Sequence, residues 1–495
     1  MADKRYRILV VCDISGMGGG GVPVFNQHIT EALAKEHDVT LFTTDPDTQP
    51  HRGARIVSTP PVPSGVDGRV WMEFQSTLDP RTHGLPDPQG RPFDLIVGHS
   101  RFSGPAAAEL RDRWYPDAKI AHFLHTSPER LAEVKHADDP VHAQTKAARD
   151  SRIEREVMDR ADMVVGVGPL LTVEAERLSS TGQHVPDSHQ LIPGVKIGEL
   201  VKRQPHDGRL NLLLMGRTDD PLKGVNDALR AVKKLNETGL DVHLTIRGAD
   251  PKKLDEIANA AEWRGGKGNV TVKPFTEDDN ELKNDIKSAD AVIMPSKHEG
   301  FGLVATEAAG HGVPILVNQE SGAAQFLGDN SKFPPEIGQP CIVPEPKNPD
   351  HRYRNWAKAI SELKADLPQR RENAKELREA LKAYSWDHAS KALVEASMQA
   401  TPVAQQKPLA QGQAQRKATV QGPFGKLLVN GPASQSAAPA GPQSTLAKAA
   451  RLTSPRRRPP ELQPQVPRPA QAPAPAARPF HLPQAGPGRG PSPGR

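Results

Sequence analysis

The sequence predicts an α/β protein of two consecutive domains, each a parallel sheet covered by helices, followed by a disordered tail. Short apolar runs alternate with amphipathic helical patterns over residues 1–400, which is typical of parallel sheets with helices on their faces. The chain has 495 residues, whereas a single hydrophobic core stops growing near roughly 250–300 residues. We therefore expect two cores.

The first half contains six apolar runs that we predict to be strands. The predicted strands are residues 7–12, 39–43, 95–98, 120–124, 163–167 and 189–192, and the predicted helices are residues 24–35, 104–113 and 151–159. The last strand ends near Pro193 and Gly194, a pair typical of a turn. We assign the first domain to residues 1–197.

A second series of the same kind starts after the polar stretch 202–209. Its predicted strands are residues 210–215, 241–247, 270–273, 291–294, 314–317 and 341–343, and its predicted helices are residues 225–236, 251–261, 277–288, 301–310, 353–365 and 369–383. We assign this domain to residues 198–383, and residues 384–400 to a terminal helix. Folds of this kind bind ligands in a crevice at the carboxyl ends of their strands.

Residues 401–495 differ from the rest in composition. They hold 19 of the 49 prolines, 13 Lys or Arg and one acidic residue, which gives the tail a charge of +12. Because the whole chain carries +5, residues 1–400 carry about −7, and the basic character belongs to the tail. Such a composition cannot offset chain entropy by burial, so we predict disorder. We expect no specific nucleic acid partner, and a weak peripheral membrane contact of the tail stays open.

The sequence favours a cytoplasmic protein. Cys12 and Cys341 lie far apart in apolar stretches, which fits reduced thiols. The first apolar run ends at Asp13 with no cleavage-like site, so we interpret it as a strand and not as a signal peptide. No apolar run reaches the length of a spanning helix. We expect a location in the cytoplasm, with the inner membrane surface as the alternative.

The strongest chemical signal is ADAVIMPSKHEGFGLVATEAAGHGVPILV, which we interpret as strand, tight loop, helix and strand. Glu299 falls in the loop, and Glu307 about two turns into the helix. The loop and the helix start aim backbone N–H groups and the positive helix end at one point, which suits an anionic or hydroxyl-rich ligand. The residues that supply them are Gly300, Phe301, Gly302 and Leu303. Two glutamates at this spacing alone would be typical of a solvated helix face, but their setting favours a site.

Two cations near the end of another predicted strand form a second candidate segment, LLLMGRTDDPLKG. Arg217 can bind phosphate oxygens in pairs, and Lys223 is a compact point charge. Together they can neutralise a diphosphate. Ordinary surface charge is the alternative for this segment taken alone.

The first half adds glycines and histidines. Gly18, Gly19 and Gly20 follow the first strand and permit close approach of the backbone to a phosphate or sugar, although flexible loops share this composition. His125 ends the run KIAHFLH, and His99 follows LIVG. Both could line the crevice. His122 competes with His125 on the opposite face of the strand, and a lone His is more often a packing residue.

Together these motifs resemble the retaining glycosyltransferases of the GT-B fold, in particular family GT4. The resemblance spans about residues 5–400 and includes Glu156, the segment LIPGV and the closing YSWDHAS. It implies two Rossmann-like domains with an interdomain cleft, and a terminal helix that crosses back to the first domain.

The resemblance also implies roles for the candidate residues. Glu299 and the amides after it would hold the donor sugar, and Glu307 the ribose. Arg217 and Lys223 would hold the nucleotide diphosphate. His125 would contact the sugar near the reacting carbon, and the glycine cluster would face the donor phosphates.

The reaction that the resemblance implies is transfer of a hexose-type sugar from a nucleotide-diphosphate donor to an unidentified acceptor, with retention of configuration. It requires no dedicated protein base, no metal and no cofactor. Asp45-Pro46-Asp47 superficially fits a metal-binding Asp-x-Asp pair, but we interpret it as a turn after a strand. The alternatives are a non-catalytic nucleotide-sugar-binding or effector protein with a partner-recruiting tail, and a same-fold epimerase or pyridoxal-dependent phosphorylase.

Overall fold

A computed structural model describes residues 4–16, 20–46, 48, 50–90, 92–201 and 208–405, together with the backbone of residues 421–422 and 425–426. In its first half a sheet of seven described strands has the order β3-β2-β1-β4-β5-β6-β7, and all its pairings are parallel. The strands are β1 Arg7–Cys12, β2 Asp38–Thr43, β3 Arg55–Ser58, β4 Leu95–His99, β5 Lys119–Leu124, β6 Met163–Val167 and β7 Asp187–Leu191. The central strands are buried on both faces, which is why they consist of continuous apolar runs.

Helices and short 3-10 segments connect these strands. The helices are α1 Gly21–Glu36, α2 Gly68–Thr77, α3 Ser100–Arg113, α4 Pro128–Lys135, α5 Pro140–Met158 and α6 Pro169–Ser179, with 3-10 turns at Pro80–His83 and Pro88–Gly90. Short polar side chains cap several of them, as Ser127 does for α4 by accepting from Arg130 N.

The second half repeats the architecture. Its six described strands have the order β10-β9-β8-β11-β12-β13 and are again all parallel. They are β8 Leu210–Met215, β9 Val242–Ala249, β10 Val270–Pro274, β11 Ala291–Met294, β12 Ile315–Asn318 and β13 Ile342–Val343. Two Rossmann-like sheets confirm the predicted α/β fold class.

Nine described helices accompany this second sheet. They are α7 Val225–Glu237, α8 Leu254–Gly265, α9 Asp279–Ser288, α10 Leu303–Gly310, α11 Gly322–Leu327, α12 Pro335–Gly338, α13 Arg352–Ala365, α14 Leu367–Leu381 and α15 Trp386–Gln399. Further 3-10 turns occupy Pro221–Lys223, Pro251–Lys253, Gln339–Cys341, Pro349–His351 and Val403–Gln405.

In each sheet the strand order reverses beside the first strand. The reversal lies between β1 and β4 in the first sheet, and between β8 and β11 in the second. Helices leave opposite faces of the sheet at such a point, so the loops after these strands open a crevice. Of the candidate site residues that the structure describes, all except His125 and Glu307 lie in or next to those loops.

The sequence prediction lacks one strand, β3, and five helices, namely α2, α4, α6, α11 and α12. β3 is a four-residue edge strand with one buried side chain, so it shows almost no apolar run. α4 has eight residues and α11 six, too few to display a helical period. Short elements of this kind depend on tertiary contacts more than on local pattern.

The last helix, α15, packs against the first sheet's side of the protein. The ring of Trp386 meets Phe25 of α1 at a centroid distance of 5.3 Å and His28 at 5.2 Å. Its backbone nitrogen lies so close to Gly194 that a Cβ there would approach it to 2.2 Å. At the far end, Lys119 Nζ donates to the carbonyl oxygens of Met398 and Ala400, a cation at a helix carboxyl terminus.

The described chain continues a few residues beyond the predicted start of the tail at residue 401. Thr401 N donates to Asp187 Oδ2 at 2.7 Å, and Val403 N donates to Asp162 Oδ1 at 2.6 Å. These bonds extend the ordered chain to residue 405. Beyond it only the antiparallel pair Gln421–Gly422 and Gly425–Lys426 is described, so the rest of the predicted tail lies outside the described residues.

We predict that Trp386→Ala destabilises the protein by about 3–5 kcal/mol, since it removes a buried aromatic side chain that ties α15 to α1. Urea denaturation of the full chain measures this. Trp263→Ala is the matched control, because Trp263 is 81% exposed and its loss should change stability by no more than about 0.5 kcal/mol. Equal effects of the two substitutions would contradict the packing described for α15.

Candidate active site

The loop after β11 is fixed by the turn that follows β12. Glu299 N donates to the carbonyl oxygen of Glu320, and Gly322 N donates to that of Glu299. Ala323 N donates to the carbonyl oxygen of Phe301 at 2.7 Å. α10 then begins after Gly302, whose φ of 104° lies in the left-handed region that favours glycine. The loop is therefore held in one shape before any ligand binds.

The loop after β8 meets this loop through an ion pair. Lys223 Nζ donates to Glu299 Oε2 at 2.7 Å, and both side chains are partly buried. Gly224 permits the approach, because a Cβ there would lie 2.0 Å from the carbonyl oxygen of Pro295. The two segments predicted to bind one ligand are thus in direct contact.

The pair shifts the pKa values of both partners. The charge of Glu299 raises the pKa of Lys223 despite burial, which would lower it. Burial would raise the pKa of Glu299, but the charge and hydrogen bond of Lys223 outweigh it and lower that pKa. Both groups therefore stay charged at neutral pH.

Arg217 is held by a different acid. Its NH2 group lies 2.6 Å from Asp220 Oδ2, and its side chain is 58% exposed. Asp220 is buried and also accepts from Leu222 N at the start of the 3-10 turn. Lys135, at the end of α4, lies 3.6 Å from the same Asp220 oxygen. Arg217 and Lys223 therefore lie in the same loop but pair with different carboxylates, Asp220 and Glu299.

The loop after β11 also packs directly on the first domain. A Cβ on Gly300 would lie 2.5 Å from the carbonyl oxygen of His125, and one on Gly168 would lie 2.5 Å from the ring of Phe301. Arg130 of α4 adds an ion pair with Glu320 at 2.9 Å. The predicted residues Gly300, Phe301 and His125 are thus brought together.

The two predicted histidines form a buried pair. His99 Nδ1 and His125 Nε2 are 2.9 Å apart, and the ring of Phe25 lies edge-on to both. Burial lowers the pKa of His125 to about 3, with a further contribution from His122, and burial lowers the pKa of His99 well below its usual range. Both rings are therefore neutral.

The tautomers of this pair follow from the unsatisfied nitrogen. His99 Nε2 is buried and has no hydrogen-bond partner among the described residues. A buried N–H without a partner is costly, so the favoured arrangement has His99 Nδ1–H donating to His125 Nε2. This leaves Nδ1–H of His125 as the donor available to a ligand.

Glu307 is less closely associated with the other predicted residues. It is the fifth residue of α10, about one turn in, whereas the sequence prediction is two turns. Burial raises its pKa, Lys196 lowers it and Asp279 raises it. Its carboxylate has no hydrogen-bond partner among the described residues. Glu307 therefore lies on the helix that follows the loop and forms no ion pair with Lys223, which pairs with Glu299.

The glycine cluster is described only in part. Gly18 and Gly19 lie outside the described residues. Gly20 has a φ of 110° and directly precedes α1, and a Cβ there would meet no atom within 4 Å. Of the Asp45-Pro46-Asp47 turn, Asp47 lies outside the described residues. In the part of the chain that is described, no group of three acidic, His or Cys side chains is arranged to hold a metal.

Two glutamates of α5, Glu154 and Glu156, differ in their surroundings. Glu156 is exposed and pairs with Arg152, whereas Glu154 is fully buried and lies 2.9 Å from His122 Nε2. Arg101 N donates to the other Glu154 oxygen. Asp150, Glu154 and Val157 are all buried on one side of α5. They are spaced by four and three residues, a helical period that is visible in the sequence and could have identified Glu154. His122 is therefore occupied by Glu154, which removes it as the competitor of His125.

Sequence reasoning also missed Lys135 and Asp220. Their contact joins residues 85 positions apart in the numbering, so no local pattern indicates it. Asp220 could have been identified as the cap of a turn that begins Asp-Pro.

Across the described residues, no helix is both long and apolar enough to cross a bilayer.

We predict that acid destabilises the protein through its buried neutral histidines. Because the pKa of His125 is about 3 when folded and near 6.5 when unfolded, the unfolded state binds more protons between these values. Stability should fall as pH drops below about 6.5, by up to ~1.4 kcal/mol per pH unit for each such histidine. Urea denaturation at a series of pH values measures this. His125→Gln should flatten the dependence, and an unchanged slope would contradict the buried neutral state.

Comparison with known proteins identifies a family whose model matches most of the chain. Residues 9–393 match the family described as Family 4 Glycosyltransferase in conflict systems. The chain is 27% identical over 427 residues to D-inositol 3-phosphate glycosyltransferase of Xylanimonas cellulosilytica, covering 79% of this chain and 94% of that protein. It is 27% identical over 344 residues to glycogen synthase of Mycobacterium tuberculosis, covering 62% and 76%.

Solved structures share the architecture. Sucrose-phosphate synthase from Thermosynechococcus elongatus superposes with a TM-score of 0.59 at 21% identity, covering 80% of this chain and 99% of that one. Anabaena HepE, solved in complex with UDP-glucose, gives a TM-score of 0.57 at 15% identity, covering 79% and 99%. At these identities the likeness shows the fold alone. With the family match over residues 9–393, the chain belongs to the family 4 glycosyltransferases of conflict systems and has the GT-B fold.

Proposed function

We propose that the protein is a retaining glycosyltransferase that moves a hexose-type sugar from a nucleotide-diphosphate donor to an acceptor without a metal ion. The observation that carries the proposal is the Lys223–Glu299 pair, which joins the loops after β8 and β11 where the strand order reverses. Crystallised HepE, a structural neighbour, contains UDP-glucose, which supports a nucleotide sugar as the donor class.

The donor's diphosphate would bind beside Lys223 and Arg217. Both cations are now paired with carboxylates, Glu299 and Asp220. Because the guanidinium of Arg217 is exposed, it could bind a diphosphate while it stays paired with Asp220. The first-turn N–H groups of α10 have no partner within the helix and add a partial positive charge. As the leaving group departs, its growing charge would be stabilised by groups already in place.

The sugar would lie between Glu299 and His125. Glu299 is ionised and so can only accept hydrogen bonds, which suits sugar hydroxyls. His125 is neutral and offers Nδ1–H, so it can donate to a sugar oxygen without repelling the positive charge that develops at the anomeric carbon. Its backbone packs against Gly300, which fixes its position relative to the loop. Orientation of the sugar is thereby shared between the two domains.

Glu307 would bind the ribose hydroxyls of the nucleotide. Burial raises the pKa of its carboxyl group, Lys196 offsets part of that rise, and the carboxylate has no hydrogen-bond partner among the described residues. Two hydroxyl donors would satisfy the carboxylate. The retention of configuration follows from the family resemblance, with the acceptor attacking from the face of the leaving group and no protein base assigned.

We predict that Lys223→Ala lowers the turnover of the donor sugar by about 10²–10³, because it removes a cation at the departing diphosphate and leaves Glu299 unpaired beside it. Sugar release and transfer with a panel of UDP, GDP, ADP and dTDP sugars measures turnover, and calorimetry measures affinity. Lys358→Ala is the control, since Lys358 is exposed on α13 and pairs with Glu362. Unchanged turnover in Lys223→Ala would contradict the proposal, and donor binding by the wild type without any turnover would indicate a binding protein.

We further predict that turnover is unchanged by EDTA, because Lys223 and Arg217 would supply the charge neutralisation that a divalent ion supplies elsewhere. The measurement is the same turnover assay after removal of metal by chelation and gel filtration. Loss of turnover that Mg²⁺ or Mn²⁺ restores would contradict metal independence while leaving the donor site intact.

A further inference from the structure

The outer face of the second domain carries an open groove of about 450 Å³ along α7. We call it the α7 groove and define it by Arg230, Lys233, Lys234, Trp263, Arg264 and Tyr353. Asn226 and Glu237 lie at its two ends, about 16 Å apart along the helix. It is formed by α7, the end of α8 and the start of α13.

The cations of the α7 groove are not neutralised by the protein. Four of its lining residues are basic and one, Glu237, is acidic. Among the described residues, no carboxylate lies within 4.0 Å of Arg230, Lys233, Lys234 or Arg264. Other exposed lysines of this domain do pair with carboxylates, as Lys358 does with Glu362 and Lys375 with Glu372. The groove therefore presents a local charge of +3 to an external anion.

Aromatic rings alternate with these charges. Trp263 is 81% exposed, and an indole so exposed contributes almost nothing to the core. The guanidinium of Arg230 lies 4.0 Å from the centroid of the Tyr353 ring, which fixes a planar cation at the opposite wall. Both Trp263 and the Arg230–Tyr353 pair offer flat faces on which a planar ring can stack. Phosphates would then lie on the lysines between them.

We propose that the α7 groove binds single-stranded nucleic acid without sequence specificity. A basic groove that follows the backbone, together with aromatic side chains on which bases stack, is the arrangement that such binding requires. A duplex is a poorer fit, because its bases are already stacked on one another. A bilayer is a poorer fit too, since one exposed ring among four charges offers no apolar face to insert. The tail, with its charge of +12, would attract any polyanion, but it has no aromatic cluster on which bases could stack.

The α7 groove is separate from the donor site. α7 begins directly after Gly224, but Arg230, Lys233 and Lys234 lie on its later turns and Arg264 lies at the end of α8. None of them forms an ion pair with Glu299, which pairs with Lys223. The proposal does not depend on the transferase reaction. Variants of the groove should therefore leave donor turnover unchanged, which separates the two proposals experimentally.

The test is fluorescence anisotropy of fluorescein-labelled oligo(dT) with the full chain at about 0.1 M salt. Trp263→Ala should weaken binding by about tenfold or more through loss of base stacking. Lys233→Gln/Lys234→Gln should lower the slope of log affinity against log salt by about 0.7 for each phosphate that a lysine no longer neutralises. The tail is present in every variant and adds a purely electrostatic attraction, so the affinities are compared over a salt series in which that attraction weakens.

Lys252→Gln/Lys253→Gln is the matched control. These two exposed lysines directly precede α8, about 15 Å along the helix from Trp263 at its other end. The proposal is overturned if Trp263→Ala binds oligo(dT) like the wild type, or if the two lysine pairs have equal effects. It is also overturned if duplex DNA or heparin binds as tightly as oligo(dT), because base stacking on the groove then plays no part in the binding.

Discussion

The contact between the Gly300–Phe301 turn and the first domain determines the geometry of the site. Gly300 approaches the backbone of His125 more closely than any side chain would allow, and the ring of Phe301 fills the space that Gly168 leaves open. Each half of this contact consists of a glycine facing a larger group of the other domain. The loop that carries Glu299 is therefore positioned by both domains, and a substitution at either glycine would displace it from His125.

Ion pairs hold the cations of the site before a donor arrives. Lys223 is paired with Glu299, while Arg217 and Lys135 share Asp220. A binding diphosphate must therefore compete with carboxylates and not only with water. This competition lowers the affinity for a diphosphate, but the ion pairs hold the cations in place. Less reorganisation is then required when charge develops on a leaving group. Lys135 also links α4 of the first domain to Asp220 in the loop after β8.

Much of this arrangement could be predicted from the sequence because it is local. Buried parallel strands are continuous apolar runs, and Lys223, Glu299 and the turn glycines lie in segments whose pattern is recognisable over a few residues. The sequence could not indicate the Lys135–Asp220 pair or the histidine pair, since those contacts depend on how distant strands and helices assemble. The sequence analysis named Glu156 and passed over Glu154, although the buried positions of α5 follow a helical period.

Hydrogen–deuterium exchange of the full chain with a nucleotide sugar that binds tests the account most directly. If the donor lies between the loops after β8 and β11 and faces His125, exchange should slow in the peptides that cover residues 216–224, 296–304 and 125–135, while β3 and α2 stay unchanged. Slowing confined to one domain, or absent from the first two peptides, would contradict a donor site built from both domains around Lys223 and Glu299.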